Sequence, residues 1–193
     1  MSTDILVVGI GGQGVMTAAE ALARAALAAG WEATKTEVTG MSQRGGVVCS
    51  QVRIGDRIGA AEIRPGAAAL VIAFEAAEGL RWSHYLSAQG RVLMDPWRAV
   101  PPIVSSGVHQ YPADPAADAR AAGTAVQVVP ARAIAERLGD ARLANSVMLG
   151  AAAAAAALPF CAATLRAEVL RPFGDGPLSA ANADAFDAGT RMR

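Results

Sequence analysis

The chain is poor in the residues that carry most metal and redox chemistry. It has two cysteines, Cys49 and Cys161, far apart in its 193 residues. A cuboidal iron–sulfur cluster is normally held by four thiolates, so this chain alone cannot hold one in the usual way. Two isolated cysteines are expected to be reduced, buried and small-hydrophobe-like, as in a cytoplasmic protein. There are two histidines, His84 and His109, and neither stands at metal-ligand spacing from another candidate. His84, beside Trp82 and Tyr85, is expected to pack or to touch a partner. Lysine is nearly missing: Lys35 is the only one, and the remaining basic residues are arginine. The formal net charge is zero, which excludes the strong positive field of a typical nucleic-acid binder. A G-x-S-x-G elbow and a P-loop lysine are both lacking. A signal peptide is not expected, because the first apolar run is short and Asp4 precedes it. Leu143 to Thr164 is free of charge, but Ala151–Ala157 supplies much of it and Asn145, Ser146 and Pro159 interrupt, so a packed soluble helix is expected rather than a membrane span.

What the chain does have is an alternation of strand-like and helix-like segments. Ile5–Val8 is a β-branched run ending in glycine, and Val15–Ala29 follows as a helix stopped by Gly30. Glu32–Val38 forms a second strand. Val47–Arg53 alternates, and Ile58–Ile63 is expected to pair back on it as a hairpin across the turn "IGDRIG". Ala68–Ala73, Arg91–Met94 and Val126–Val129 are further strands, with Val108–Tyr111 as one more candidate. Helices are expected at Phe74–Leu86, within "PADPAADARAAG", where a turn leads into a short helix, and at Ala131–Leu138, Ala144–Leu158, Ala162–Leu170 and Ala180–Gly189. The pattern specifies an α/β fold, a three-layer α/β/α sandwich with a largely parallel, mixed sheet and a Rossmann-like first βα unit. With no linker or repeat, residues 1–193 are counted as one domain.

Two glycine-rich loops are the main candidate sites. Gly9, Gly11 and Gly14 satisfy G-x-G-x-x-G between a strand and a helix. The missing β-carbons let backbone N–H groups approach a phosphate at a helix N-terminus. Glu37, at the end of the second strand, stands near the place of the acidic residue of a dinucleotide fingerprint. The same glycines equally serve a tight strand-to-helix crossing with no ligand, and both readings stay open. Gly12 and Gln13 make the string "GGQG", which is more particular than a dinucleotide loop needs. The second loop, "GMSQRGG", offers Ser42, Gln43, Arg44 and Gly45. Loops beyond the carboxyl ends of neighbouring strands converge on one crevice, and Arg44 could grip a phosphate or carboxylate there. Asn145 is either a cap or loop brace, or a site contact. "GDG" at Gly174–Gly176 is a decoy for a thiamine diphosphate motif, since Asn182 follows far too soon and the chain ends at Arg193.

Taken together, "GIGGQGVMTAAEALARAA", "EVTGMSQRGGVVCSQVRIG", "AFEAAEGLRWSHYL", "NSVMLGAAAA" and "NADAFDAGTR" resemble the gamma-type subunit of 2-oxoacid:ferredoxin oxidoreductases, most of all its indolepyruvate-type members. The resemblance runs over almost the whole chain in order. It implies an accessory subunit with no redox centre of its own and no activity alone, in the cytoplasm. Thiamine diphosphate, Mg and the [4Fe-4S] clusters would sit on a larger catalytic partner that passes electrons to ferredoxin or a similar acceptor. Coenzyme A would be shared, with Gly9, Gly11, Gly12, Gln13, Gly14, Ser42, Gln43, Arg44, Gly45 and Asn145 flanking the ligand. The departures are Glu75-Ala76-Ala77-Glu78 where relatives often have "EP-x-E", and "MDPWRAVPPI" at a strand end. Glu75 and Glu78 are expected on a charged face toward partner or solvent.

Overall fold

The computed structural model describes residues 2–39, 46–100 and 110–192. Its centre is a six-stranded sheet in the order β2-β3-β1-β4-β5-β6. The strands are β1 (Ser2–Ile10), β2 (Glu32–Thr39), β3 (Val47–Gly55), β4 (Ala68–Ala73), β5 (Leu86–Met94) and β6 (Ala125–Val128). β1, β4, β5 and β6 run parallel, while β3 runs antiparallel between β2 and β1. Among the described residues seven α-helices cover the sheet: α1 (Val15–Ala28), α2 (Ala76–Trp82), α3 (Pro115–Ala121), α4 (Ala131–Arg137), α5 (Ala144–Ala154), α6 (Ala162–Leu170) and α7 (Pro177–Thr190). The mixed three-layer architecture is the one expected.

The layers follow from the alternation along β1. Ile5 and Val7 join Leu70, Ile72 and Leu93 in a core under α1, α4, α5, α6 and α7. Leu6 and Val8 join Val71, Ala73, Val92 and Met94 on the opposite face, under α2 and α3. Both faces of β1 and β4 are therefore dry, which is why their sequences are near-continuous apolar runs.

The expected hairpin of Ile58–Ile63 on β3 does not form. Both ladder edges of β3 are already taken, by β2 and by β1, so no edge is left to receive it. Side chains hold that segment instead. Arg53 bonds Asp4 and donates to the carbonyls of Ala60 and Glu62, and Gln51 Oε1 accepts from the Ile63 N–H. Among the helices, α5 stops at Ala154, short of the expected Leu158. Ala156 takes a positive φ of 53° ahead of Pro159, which disfavours helical geometry in the residue before it. The expected helix from Phe74 is shorter too: α2 begins at Ala76, and Ser83–Tyr85 forms a 3-10 turn. Of the candidate strand at Val108–Tyr111, residues 108 and 109 lie outside the described residues, and Tyr111 belongs to no strand.

The two cysteines part company. Cys49 is buried, and desolvation pushes its thiol up to about 12. Cys161 is exposed, contrary to expectation. It stands at the N-cap of α6 beside the Thr164 hydroxyl, whose hydrogen bond holds the thiol below its usual range. Among the described residues, no helix is long and apolar enough to cross a membrane.

Candidate functional site

The first glycine loop is a braced turn as well as an opening. Gln13 folds back so that its Oε1 accepts from the Ile10 N–H at 2.7 Å, and its Nε2 donates to the Phe74 carbonyl at 2.7 Å. One amide thus ties the end of β1 to the residue after β4. Gly9 must lack a β-carbon because that position is taken by Gln13 Oε1, 2.6 Å from where the carbon would lie. Gly12 and Gly14 have φ of 96° and 79°, the left-handed region that glycine enters without strain. Gly14 carries a second constraint, since Asn145 Nδ2 donates to its carbonyl at 2.7 Å. Gln13→Ala should cost about 2 kcal/mol by leaving both backbone groups without their partner. Urea denaturation should show that loss as a lower midpoint at unchanged slope.

The structure brings Gly9, Gly11, Gly12, Gln13, Gly14 and Asn145 together at the carboxyl ends of the parallel strands. The Gly11 N–H donates to the Gly46 carbonyl at 2.9 Å, so the base of the second loop lies beside the first. Ser42, Gln43, Arg44 and Gly45 themselves lie outside the described residues. Glu37 is not placed to complete a dinucleotide fingerprint. β3 separates β2 from β1, which puts Glu37 two strand spacings, about 10 Å, from the loop-bearing strand. Its carboxylate instead pairs with Lys35 at 2.9 Å, and Lys35 also reaches Glu20. "GDG" is a turn before α7, and Asn182 is spent inside the protein, accepting from Ser146 Oγ and donating to the Leu178 carbonyl.

Beside the glycine loop opens a cleft of about 840 Å³. Gly12, Gln13, Gly14 and Asn145 form one side, and the exposed Met16 and Phe173 stand at others. It is bordered by four cations, Arg24, Lys35, Arg132 and Arg142, against the carboxyl groups of Glu20, Asp95 and Glu168. Clefts with apolar walls and a few convergent charges, at the carboxyl end of a parallel sheet, are the usual place for ligands in such folds.

Three residues of this cleft are not among the site residues the sequence suggests: Asp95 and Trp97, noted there only as part of "MDPWRAVPPI", and Arg132. Asp95 follows β5 directly and is 3% exposed. Its Oδ1 accepts from the Trp97 N–H and its Oδ2 from the Arg132 N–H at 2.8 Å. Burial pushes its carboxyl up to about 6, against those two bonds. The Arg132 guanidinium lies over the Trp97 ring, 5.2 Å from its centroid. The available signal was the strand-end position of Asp95 within "MDPWRAVPPI".

Glu75 and Glu78 are buried, which corrects their assignment to a charged outer face. Glu75 caps α2, its Oε2 accepting from the Glu78 N–H, while its Oε1 accepts from the Ala99 N–H and the Tyr111 hydroxyl. Burial and the Glu75 carboxylate both raise the Tyr111 phenol above its ordinary range. Glu78 is raised by desolvation, partly offset by Arg81 and by the Trp82 indole N–H. His84 is exposed on the 3-10 turn, its ring 4.7 Å from that of Tyr85. Among the described residues, no three His, Cys, Asp or Glu side chains gather into a metal-holding group.

Comparison with known proteins places these features in context. A sequence model described as pyruvate ferredoxin/flavodoxin oxidoreductase matches residues 4–192. The chain is 37% identical over 162 residues to indolepyruvate oxidoreductase subunit IorB of Archaeoglobus fulgidus, covering 83% of this chain and 80% of that one. The fold superposes on the keto/oxoacid ferredoxin oxidoreductase gamma subunit of Geobacter sulfurreducens with a TM-score of 0.69 at 23% identity, over 98% of this chain and 97% of that one. It also superposes on the 2-oxoglutarate:ferredoxin oxidoreductase of Magnetococcus marinus, solved with 2-oxoglutarate, coenzyme A and succinyl-CoA, with a TM-score of 0.76 at 21% identity. That match covers 99% of this chain but spans only 31% of that one.

Proposed function

The chain belongs to the pyruvate ferredoxin/flavodoxin oxidoreductase family, and on that premise we propose that it is an accessory subunit of a thiamine-diphosphate-dependent 2-oxoacid:acceptor oxidoreductase of the indolepyruvate, or arylpyruvate, type. The observation that carries this reading is the relation to subunit IorB across four-fifths of that protein's length. The reading takes residues 1–193 as one gamma-type domain, supported by the single sheet among the described residues and the family match from 4 to 192.

The chemistry of this chain's own groups fits a supporting role. A four-thiolate cluster has no home here, because of the two cysteines one is buried beneath α2 and the other is on the surface. The [4Fe-4S] clusters, thiamine diphosphate and Mg are therefore assigned to a larger catalytic partner, from which electrons pass to ferredoxin or a similar acceptor in the cytoplasm. Thiamine diphosphate supplies the electron sink for decarboxylation of the 2-oxoacid there. This chain shapes the partner's active site or encloses coenzyme A. Gly12, Gln13, Gly14 and Asn145 line the cleft on that side, with Gly9, Gly11, Ser42, Gln43, Arg44 and Gly45 assigned to the site from the sequence. Arg132, whose guanidinium is hydrogen-bonded through its Nε alone among the described residues, suits a phosphate-bearing ligand of that class.

Co-expression with the gene for the large subunit tests the proposal. Iron content and 2-oxoacid-dependent reduction of an electron acceptor should appear only in the co-purified complex. Full turnover by the 19.6 kDa chain alone would overturn it.

A further inference from the structure

Another part of the cleft wall, at the end of β5, is held by a dense set of hydrogen bonds. Trp97 is half-buried and lines the cleft together with Arg132. Its backbone is held at both ends: the N–H by Asp95 Oδ1 at 3.1 Å, and the carbonyl by the Ala76 N–H at 3.0 Å. Arg132 is fixed by the other oxygen of the same buried carboxylate. One aspartate thus sets an indole and a guanidinium in register, 5.2 Å apart. Arg132 Nε is paired with Glu136 at 2.8 Å, and among the described residues its two terminal nitrogens carry no hydrogen bond. An aromatic face backed by a guanidinium takes a planar ring by stacking, and free guanidinium nitrogens take an anion.

We propose that Trp97 and Arg132 form a stacking subsite for a planar aromatic group carried by an anionic ligand, with Asp95 as the residue that positions both. The apolar Met16, Leu149 and Phe173 supply further parts of the cleft wall, and the terminal nitrogens of Arg132 favour negative charge beside the ring. A ring joined to an anion comes from two sources that suit this protein: an aromatic 2-oxoacid or an adenine nucleotide. The choice of these two sources rests on the proposed function, whereas the subsite rests on the geometry alone.

Calorimetric titration of the full chain separates the cases. Phenylpyruvate and ADP are the probes. Pyruvate, with charge and no ring, and adenosine, with a ring and no charge, are their matched controls. At least one probe should bind about tenfold or more tighter than its control, and the probe that does so identifies the source. Trp97→Ala should weaken that binding at least about tenfold, while Trp97→Phe, which keeps a ring, should stay within about threefold. Arg132→Gln removes an exposed guanidinium without touching the helix backbone. It should weaken the charged probe and leave adenosine unchanged, which keeps the test decisive if Trp97→Ala does not fold. No binding of either probe, equal binding of probe and control, or full binding by Arg132→Gln would each refute the subsite. Failure of the chain to assemble with an oxidoreductase subunit would refute the proposed function and leave these titrations standing.

Discussion

Gly150→Ala and Gly189→Ala are each expected to lower stability by about 3 kcal/mol or more, with a fall in Tm of about 10 °C for a chain of this size. The two glycines face each other across the seam between α5 and α7. A β-carbon on Gly150 would fall far inside van der Waals distance of the Phe186 carbonyl oxygen, and 2.9 Å from its carbonyl carbon. One on Gly189 would collide in the same way with the Val147 carbonyl oxygen. The obstacles are backbone atoms, so no rotamer change relieves them. The helices must separate, and Val147, Met148, Ala151 and Phe186 then lose contacts they make while fully buried. The Ser146–Asn182 hydrogen bond of 2.6 Å, which fixes the register of the same two helices, should be strained by the same motion. The double variant should cost less than the sum of the singles, since helices parted once admit the second carbon cheaply. Gly59→Ala is the control: nothing lies within 4 Å of its β-carbon and its φ is not positive, so its effect should stay within about 0.5 kcal/mol. A Tm for Gly150→Ala within about 2 °C of the parent would refute the seam.

How much of this was legible beforehand depends on the range over which each residue acts. The strands under both layers were visible because β1 and β4 are apolar on both faces, a purely local property. The alanine-rich stretch pointed to close helix packing, yet the contact itself is made by Gly150 and Gly189, 39 positions apart in a sequence that gives no sign of their pairing. The partners of Gln13 and Gly14 show the same limit. The string "GGQG" marks the loop, but Gln13 finds its second bond at Phe74 and Gly14 finds its own at Asn145, 131 residues on. The insertion of β3 between β2 and β1 was hidden for a different reason. An alternating strand pairs equally well with either neighbour, and edge occupancy is decided by the whole sheet. Charge misled most at Glu75 and Glu78. A three-residue spacing of carboxylates fits an exposed helix face, whereas here donors converge on Glu75 from three separate segments and draw it inside.

That convergence carries the second large effect. Glu75→Ala should destabilise the protein by about 3 kcal/mol, and Glu75→Gln by nearly as much. All three groups around the carboxylate donate: the Glu78 N–H at 2.8 Å, the Ala99 N–H at 3.1 Å and the Tyr111 hydroxyl. A side chain there must accept on both of its oxygens. Glutamine accepts on one only, and its amide nitrogen would meet either the α2 cap or the Ala99 and Tyr111 donors head-on. Aspartate accepts on both and is a good cap, but is one methylene too short to serve α2 and Tyr111 together. The expected order of stability is Glu, then Asp, then Gln close to Ala. The loss should reach the cleft, because Glu75 secures Ala99 two residues from Trp97, while Arg98 stacks 4.4 Å over the Tyr111 ring and donates to the Pro112 carbonyl at 2.7 Å. Tyr111→Phe removes one donor and leaves the Ala77 N–H without its acceptor. A double-mutant cycle between Glu75→Ala and Tyr111→Phe should therefore give a coupling of about 1 kcal/mol or more. Urea denaturation of the four proteins measures it. A glutamine variant as stable as the parent would show that an all-acceptor group is not required, and that the carboxylate holds these segments less firmly than its three bonds indicate.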